Sequence, residues 1–283
     1  MKKKIKLIYI LWAVIIVAVL VSVTFFIVMP KGNSEYDMVF FGDSIIASNH
    51  NDFWDIPKKV SNSLEAATFN AGFGGYNMSN MDVTGMPGDY RDEYSMVGLS
   101  KSVRKHSFKT QVMASQETAP LTIWYFPEVS KKLNKINWAK VKYIFIEHGA
   151  NDYLYGVPVD DNEDKYNEYT FGGALRQSIE NIQKGAPNAQ LILMTPIYMN
   201  PDGMKGDCNE IDYGGGLLKD YVEKEKEIAK EYGLYVIDNF TEIDINKDNY
   251  EEYLPGGLHP NLEGNTLIAE NICRHMKELN GNP

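Results

Sequence analysis

Four short blocks of this chain hold the groups that covalent chemistry at a carbonyl needs. Gly42-Asp43-Ser44-Ile45 offers a hydroxyl, and Asn70-Ala71-Gly72-Phe73-Gly74-Gly75 offers unencumbered backbone amides. Gly149-Ala150-Asn151-Asp152 offers a side-chain amide, and Leu258-His259-Pro260 an imidazole. A hydroxyl becomes a useful nucleophile only when a base takes its proton and donors await the oxyanion. Ser44, His259, a glycine N–H and the Asn151 amide would supply all of these. Each block alone carries little weight, since a lone Ser after a strand is usually a helix cap. The chain has no GxSxG, which excludes the nucleophile elbow of the α/β-hydrolase fold as the source of the serine. It has no CxxC, no HExxH and no clustered His/Cys spacing, so neither a metal nor another cofactor is expected.

The blocks matter only if regular elements bring them together. Met38 to Phe41 is an unbroken apolar run that reads as a buried strand ending at Gly42. Ile56 to Ala66 reads as a helix, and Thr68-Phe69-Asn70 as a short strand before the glycine turn. Val141 to Ile146, Leu191 to Met194 and Leu234 to Ile237 are further strands. Gly173 to Lys184, stopped by Gly185 and Pro187, is a helix, as are Leu217 to Glu231, closed by Gly233, and Asn261 to Leu279. Strands alternating with helices of these lengths imply an α/β fold with a parallel sheet covered on both faces. Ligands bind such sheets at the carboxyl ends of the strands, where three of the blocks fall. Residues 76–137 show no sustained periodicity, and a stretch of that length between core elements predicts functional loop or lid. No linker interrupts residues 36–279, which predicts one domain over 32–283.

The first 31 residues are different. Residues 5–29 read as a membrane span: from Leu7 to Met29 no residue is charged, a run of 23 residues that is long enough to span a bilayer core. Lys2, Lys3, Lys4 and Lys6 precede it, which predicts a cytoplasmic N-terminus and an exported domain. A cleaved signal peptide would have a shorter apolar region and small residues at its end, whereas this segment runs into bulky Phe25-Phe26-Ile27-Val28-Met29. An uncleaved single-pass anchor at the cell membrane is therefore expected, with the domain outside. Setting aside the five Lys of residues 1–31 leaves 23 basic against 38 acidic residues, a net charge of −15. Such a domain is not expected to bind nucleic acid through its phosphates. Cys208 and Cys273 are the two cysteines, and a domain of this size needs no disulfide to hold its core.

The four blocks, in this order, resemble those of the GDSL, or SGNH, hydrolase family over the whole chain after the anchor. Ile45 stands where the eponymous Leu often does. The resemblance implies a three-layer, flavodoxin-like sandwich around a central parallel sheet. It further implies that Ser44 attacks an ester carbonyl while His259 takes its proton and later returns it to the leaving alkoxide. The Ser44 N–H, the Gly75 N–H and the Asn151 side chain would form the oxyanion hole, with Gly72 the alternative to Gly75. One departure stands out. The family's histidine block usually reads Asp-x-x-His, and here Gly256 occupies the Asp position. Three arrangements are open: a Ser–His dyad, an acid supplied by Glu251 or Glu252, or an impaired site.

Other polar residues have plainer expectations. Asp43 and Asp152 suit helix-start and turn roles. His148 adjoins the Asn151 turn and is expected to be structural rather than to contact substrate. His50, His106 and His275 lack motif context and read as surface or packing residues. Tyr76, Trp124, Tyr125 and Trp138 could stack on sugar rings, though aromatics in an α/β domain are more often core. The functional expectation is an extracytoplasmic serine esterase acting on carboxylic, particularly O-acetyl, esters of a cell-envelope or capsular glycan. An O-acyltransferase to a surface polysaccharide would use the same residues, and a non-catalytic envelope scaffold would follow from an impaired site.

Overall fold

The computed structural model describes residues 35–48, 50, 52–81, 91–117, 124–201 and 206–281. The expected anchor at residues 5–29 lies outside these. Among the described residues no helix is long and apolar enough to cross a membrane.

Five strands form one parallel sheet: β1 (Met38–Gly42), β2 (Thr68–Asn70), β3 (Tyr143–Glu147), β4 (Gln190–Met194) and β5 (Tyr235–Ile237), in the order β2-β1-β3-β4-β5. This is the flavodoxin-like order, with its reversal between β1 and β3. The register runs from Met38↔Tyr143 to Gly42↔Glu147, so both strands end level. β1 is buried along its whole length, as its non-alternating apolar run requires. Phe40 and Phe145 stack across the pair with ring centroids 4.2 Å apart.

The helices around the sheet are α1 (Ser44–Ala47), α2 (Ile56–Leu64), α3 (Arg91–Tyr94), α4 (Met96–Lys105), α5 (Lys109–Glu117) and α6 (Phe126–Leu133), followed by α7 (Ala150–Leu154), α8 (Phe171–Gly185), α9 (Leu218–Tyr232), α10 (Asn239–Glu242), α11 (Tyr250–Tyr253) and α12 (Leu262–Leu279). α2 packs on α12, while α4 and α9 pack on α8, making two helical groups. Caps explain where elements depart from their expected ends. Thr170 accepts the Gly173 N–H, so α8 starts two residues before Gly173. Glu65 takes a left-handed conformation, so α2 stops before Ala66.

The largest difference lies within residues 76–137, where loop was expected and four helices are found. Met96, Val97, Leu99, Val103, Phe108, Phe126 and Leu133 all lie in the main core. Their pattern escaped detection because the helices are short and α4 buries small polar residues such as Ser100 and Ser102 along with its apolar ones. Val103 sits directly against Gly185 of α8, where any Cβ would crowd the Val103 carbonyl.

The core also holds carboxyl groups that the sequence did not advertise. Asp43, Glu147 and Glu225 are fully buried, as is His148. Burial, aided by Asp43 and Glu225, pushes the Glu147 carboxyl well above its ordinary range, and burial does the same to Glu225. A carboxyl held protonated only in the fold stabilises at low pH, and that contribution is lost as pH rises through the folded-state pKa. His148, pushed down to about 3 by burial, acts in the opposite direction, losing stability as pH falls. Comparison with a single variant separates the two. The melting temperature of Glu147→Gln, measured against the wild-type chain, is expected to rise by several degrees between pH 5 and pH 8. A pH-independent difference would show that Glu147 is not protonated in the fold.

Candidate functional site

β1 turns directly into α1 at Gly42-Asp43-Ser44. A Cβ at Gly42 would lie 2.5 Å from Ile46 Cγ1, so only glycine lets the helix double back this tightly. Asp43 caps α1 by accepting the Ile45 N–H at 2.9 Å, as its helix-start position suggests. Burial, with the Asp152 charge adding to it, pushes the Asp43 carboxyl up to about 7. Ser44 is the first helical residue, a position whose N–H has no partner within the helix.

Asn70 and the glycine turn brace α1 from the β2 side. Asn70 Nδ2 donates to the Ile46 carbonyl at 2.7 Å, and its Oδ1 accepts the Gly72 N–H at 3.0 Å. The Gly72 amide is therefore spent on structure, which argues against Gly72 as the oxyanion donor. Its glycine identity has another cause: a Cβ there would lie 2.7 Å from the Ala47 nitrogen. Gly75 differs, being exposed, with φ +85° and open space where a Cβ would stand. Between them, the Gly74 N–H donates to the Tyr125 hydroxyl at 3.0 Å.

The Asn151 block starts α7 and grips the segment after the glycines. Asn151 Nδ2 donates to the Tyr76 carbonyl at 3.0 Å, using one of its two amide protons. Asp152, fully buried, accepts from the Met78 N–H at 2.8 Å, the Ser79 N–H at 3.1 Å and the Ser79 hydroxyl at 2.7 Å. The carboxylate thus fastens the β2 turn to the end of β3, a longer-range task than the local turn role expected of it.

His259 arrives from the other end of the chain. Its Nε2 lies 2.9 Å from Ser44 Oγ, across 215 residues of sequence. The turn before it, Leu254 to Leu258, is closed by the Gly257 N–H on the Leu254 carbonyl at 2.7 Å and by the Asn200 N–H on the Gly257 carbonyl at 2.8 Å. Gly256 and Gly257 have φ +79° and +74°, and a Cβ on Gly257 would overlap the Asn200 carbonyl. Position 256 therefore sits in a left-handed turn that disfavours a side chain. Glu251 and Glu252 do not replace the missing acid. Both are exposed on α11, where Glu251 accepts from the Tyr250 hydroxyl and the Glu252 backbone carbonyl holds Asn261. Desolvation lowers the His259 imidazole from its ordinary value.

Ser44 opens onto a cavity of about 370 Å³ lined by Ala47, Ser48, His50, Asp52, Gly74, Trp124 and Tyr125. The sequence assigned His50 to surface or packing, yet it lines this cavity and, with Tyr125, a second of about 290 Å³ next to it. The His50 and Tyr125 rings sit 4.2 Å apart, and burial pushes His50 down to about 4, so it is neutral. No local signal marks it, because its role comes from Tyr125, which lies 75 residues away in sequence. The other histidines are structural. His148 is wholly enclosed, His106 bonds the Gly185 carbonyl, and His275 lies between Tyr235 and Glu242. Cys208 and Cys273 are buried free thiols.

The model of the GDSL-like lipase/acylhydrolase family matches residues 40–267. A GDSL esterase/lipase of Arabidopsis thaliana is 26% identical over 141 residues, a stretch covering 46% of this chain and 57% of that protein, so the chain matches little more than half the length of this curated relative. The crystal structure of a protein from Lactobacillus plantarum superposes with a TM-score of 0.61 at 16% identity, covering 87% of this chain and 98% of that one. A possible lipase from Chitinophaga pinensis superposes at 0.58 with 18% identity, covering 88% and 100%. At these identities the two structures show a shared fold.

Asp152 provides the test of how the site is braced. Asp152→Ala strands two buried backbone N–H groups and a hydroxyl, at a cost of roughly 3 kcal/mol. The melting temperature should fall by roughly 6–12 °C for a domain of this size. Asp152→Asn, which keeps one acceptor, should fall less. An unchanged melting temperature in Asp152→Ala would show that the 76–79 segment is not held from α7.

Proposed function

This chain belongs to the GDSL-like lipase/acylhydrolase family, and on that premise we propose that it is a serine esterase with Ser44 as nucleophile and His259 as base. The observation that carries the proposal is the 2.9 Å contact between Ser44 Oγ and His259 Nε2. With the imidazole proton on Nδ1, Nε2 accepts the Ser44 proton as Oγ attacks the ester carbon. The same nitrogen then delivers that proton to the departing alkoxide, leaving an acyl-enzyme. Water, deprotonated in turn by His259, releases the acid.

The oxyanion is held by the Ser44 N–H, the Gly75 N–H and the second amide proton of Asn151, the first being committed to Tyr76. Gly75 fits this role through its exposure and Gly72 does not, since its N–H is occupied. No carboxylate orients His259 among the described residues, so the pair works as a dyad. Desolvation lowers the imidazole from its ordinary value, which favours the neutral form that accepts a proton.

The uncharged run from Leu7 to Met29 and the lysines before it support an anchored, extracytoplasmic placement. For an enzyme tethered there, O-acetyl esters of a cell-envelope or capsular glycan are the substrate we propose.

In the full chain, Ser44→Ala should abolish labelling by a fluorophosphonate and lower turnover of 4-nitrophenyl acetate by at least about a thousandfold. Unchanged labelling in that variant would exclude Ser44 as the nucleophile. Asn151→Ala should lower kcat by about 10²–10³-fold. Glu251→Gln and Glu252→Gln should stay within about twofold of wild type, since neither touches His259; a fall of about 10⁴-fold in either would identify it as the orienting acid. The acid limb of kcat/KM should have its midpoint below 6.5, because the imidazole is lowered from that value.

A further inference from the structure

Of the aromatic side chains between residues 76 and 138, most are absorbed into the core. Tyr94 and Phe126 are fully enclosed, and Trp138 stacks on Phe41 and Phe108. Trp124 is the exception, 73% exposed and on the wall of the cavity that contains Ser44. An indole left in water forgoes the burial that such a large ring usually obtains. Its ring meets that of its sequence neighbour Tyr125 edge-on at 5.7 Å and 88°. Tyr125 is itself buried and accepts the Gly74 N–H, one residue from the proposed oxyanion donor. The exposed ring is thus coupled by one neighbour to the turn where the ester must sit.

Ser48, His50 and Asp52 line the same cavity together with Tyr125, and among the described residues the one aliphatic side chain there is that of Ala47. A long acyl chain would need an apolar trough, and these residues do not provide one. One exposed flat ring sharing a cavity with hydroxyl, imidazole and carboxylate groups suits a molecule with an apolar face and a hydroxylated rim. A pyranose ring has both. The Asp52 carboxylate disfavours an anionic sugar by like-charge repulsion.

We propose that Trp124 is the stacking platform for a neutral or cationic O-acylated pyranose, with Asp52 and Ser48 hydrogen-bonding its hydroxyls while its short acyl ester lies at Ser44. Trp124 is then a specificity-determining residue that acts on the alcohol side of the ester. The inference rests on the serine-esterase function proposed above and narrows its substrate.

The test compares two acetates in the full chain: mono-O-acetylated methyl glucopyranosides, and ethyl acetate, which has no ring to stack. Trp124→Ala should lower the ratio of kcat/KM on the sugar ester to kcat/KM on ethyl acetate by about tenfold or more, equivalent to about 1.4 kcal/mol of selective transition-state binding. The loss should appear mainly in KM, and Trp124→Phe should restore most of the ratio. A parallel fall on both substrates, or an unchanged ratio, overturns the proposal by reducing Trp124 to a structural or idle residue. So does a wild-type chain that hydrolyses ethyl acetate, dependent on Ser44, but not the sugar ester; the esterase function then stands without the saccharide. Hydrolysis of either ester that survives Ser44→Ala removes Ser44 as the nucleophile, and with it the function on which this proposal rests.

Discussion

The pairing of β1 with β3 is the constraint on which the rest depends. Two strands separated by about a hundred residues of helical chain lie in parallel register and end level at Gly42 and Glu147. Because they end together, the turn carrying Ser44 and the turn carrying Asn151 open on the same edge. The sheet order reverses between these strands, the switch point at which ligands bind in such sheets. Everything else at the site adjusts to that gap. The Asp43 N–H meets the Glu147 carbonyl across it, and Asp152 reaches back from β3 to fasten Met78 and Ser79. The glycine turn is thereby gripped from two sides, by Asn70 beneath and Asp152 above.

The crowding at this edge has an electrostatic consequence. Asp43, Glu147 and Glu225 occupy the interior behind the nucleophile, where a charged carboxylate is poorly solvated. Burial raises the pKa of all three carboxyls, which favours their neutral forms beneath the site. His259 is lowered by the same physical cause acting on a base. A neutral imidazole beside a serine hydroxyl is the state in which proton transfer from the serine can begin. Burial of the surroundings therefore favours that state without a partnering carboxylate.

The absent carboxylate was legible as a gap in the His259 block, but its cause was not. Gly256 and Gly257 both take left-handed backbone angles, in a turn pinned to Asn200. An acid at 256 would have to bear that conformation. The sequence also offered Glu251 and Glu252 on proximity in the chain. Both lie exposed on α11, and the turn carrying Gly256 and Gly257 separates them from the histidine. Residues 76–137 show the same limit on a larger scale. Their helices are short, and it is packing, of α4 on α8 and of the others on one another, that makes them part of the core.

By itself, the sequence determined what depends on local pattern. Apolar runs set the strands, helical periods and caps set the long helices, and glycine-punctuated turns marked where Ser44, Gly75, Asn151 and His259 would stand. Alternating strands and helices anticipated the α/β sheet, and the order of the four blocks carried the resemblance to the family whose model matches the chain. Tertiary structure alone decided which groups still had a free hand. It spent the Gly72 amide on Asn70, enclosed His148, recruited His50 to the cavity wall and left Trp124 in the open beside Ser44. The physical reason is that a residue's type and neighbours in sequence fix what it is able to do. Whether its hydrogen bonds are already taken, or its ring already buried, depends on contacts with parts of the chain that no local pattern encodes.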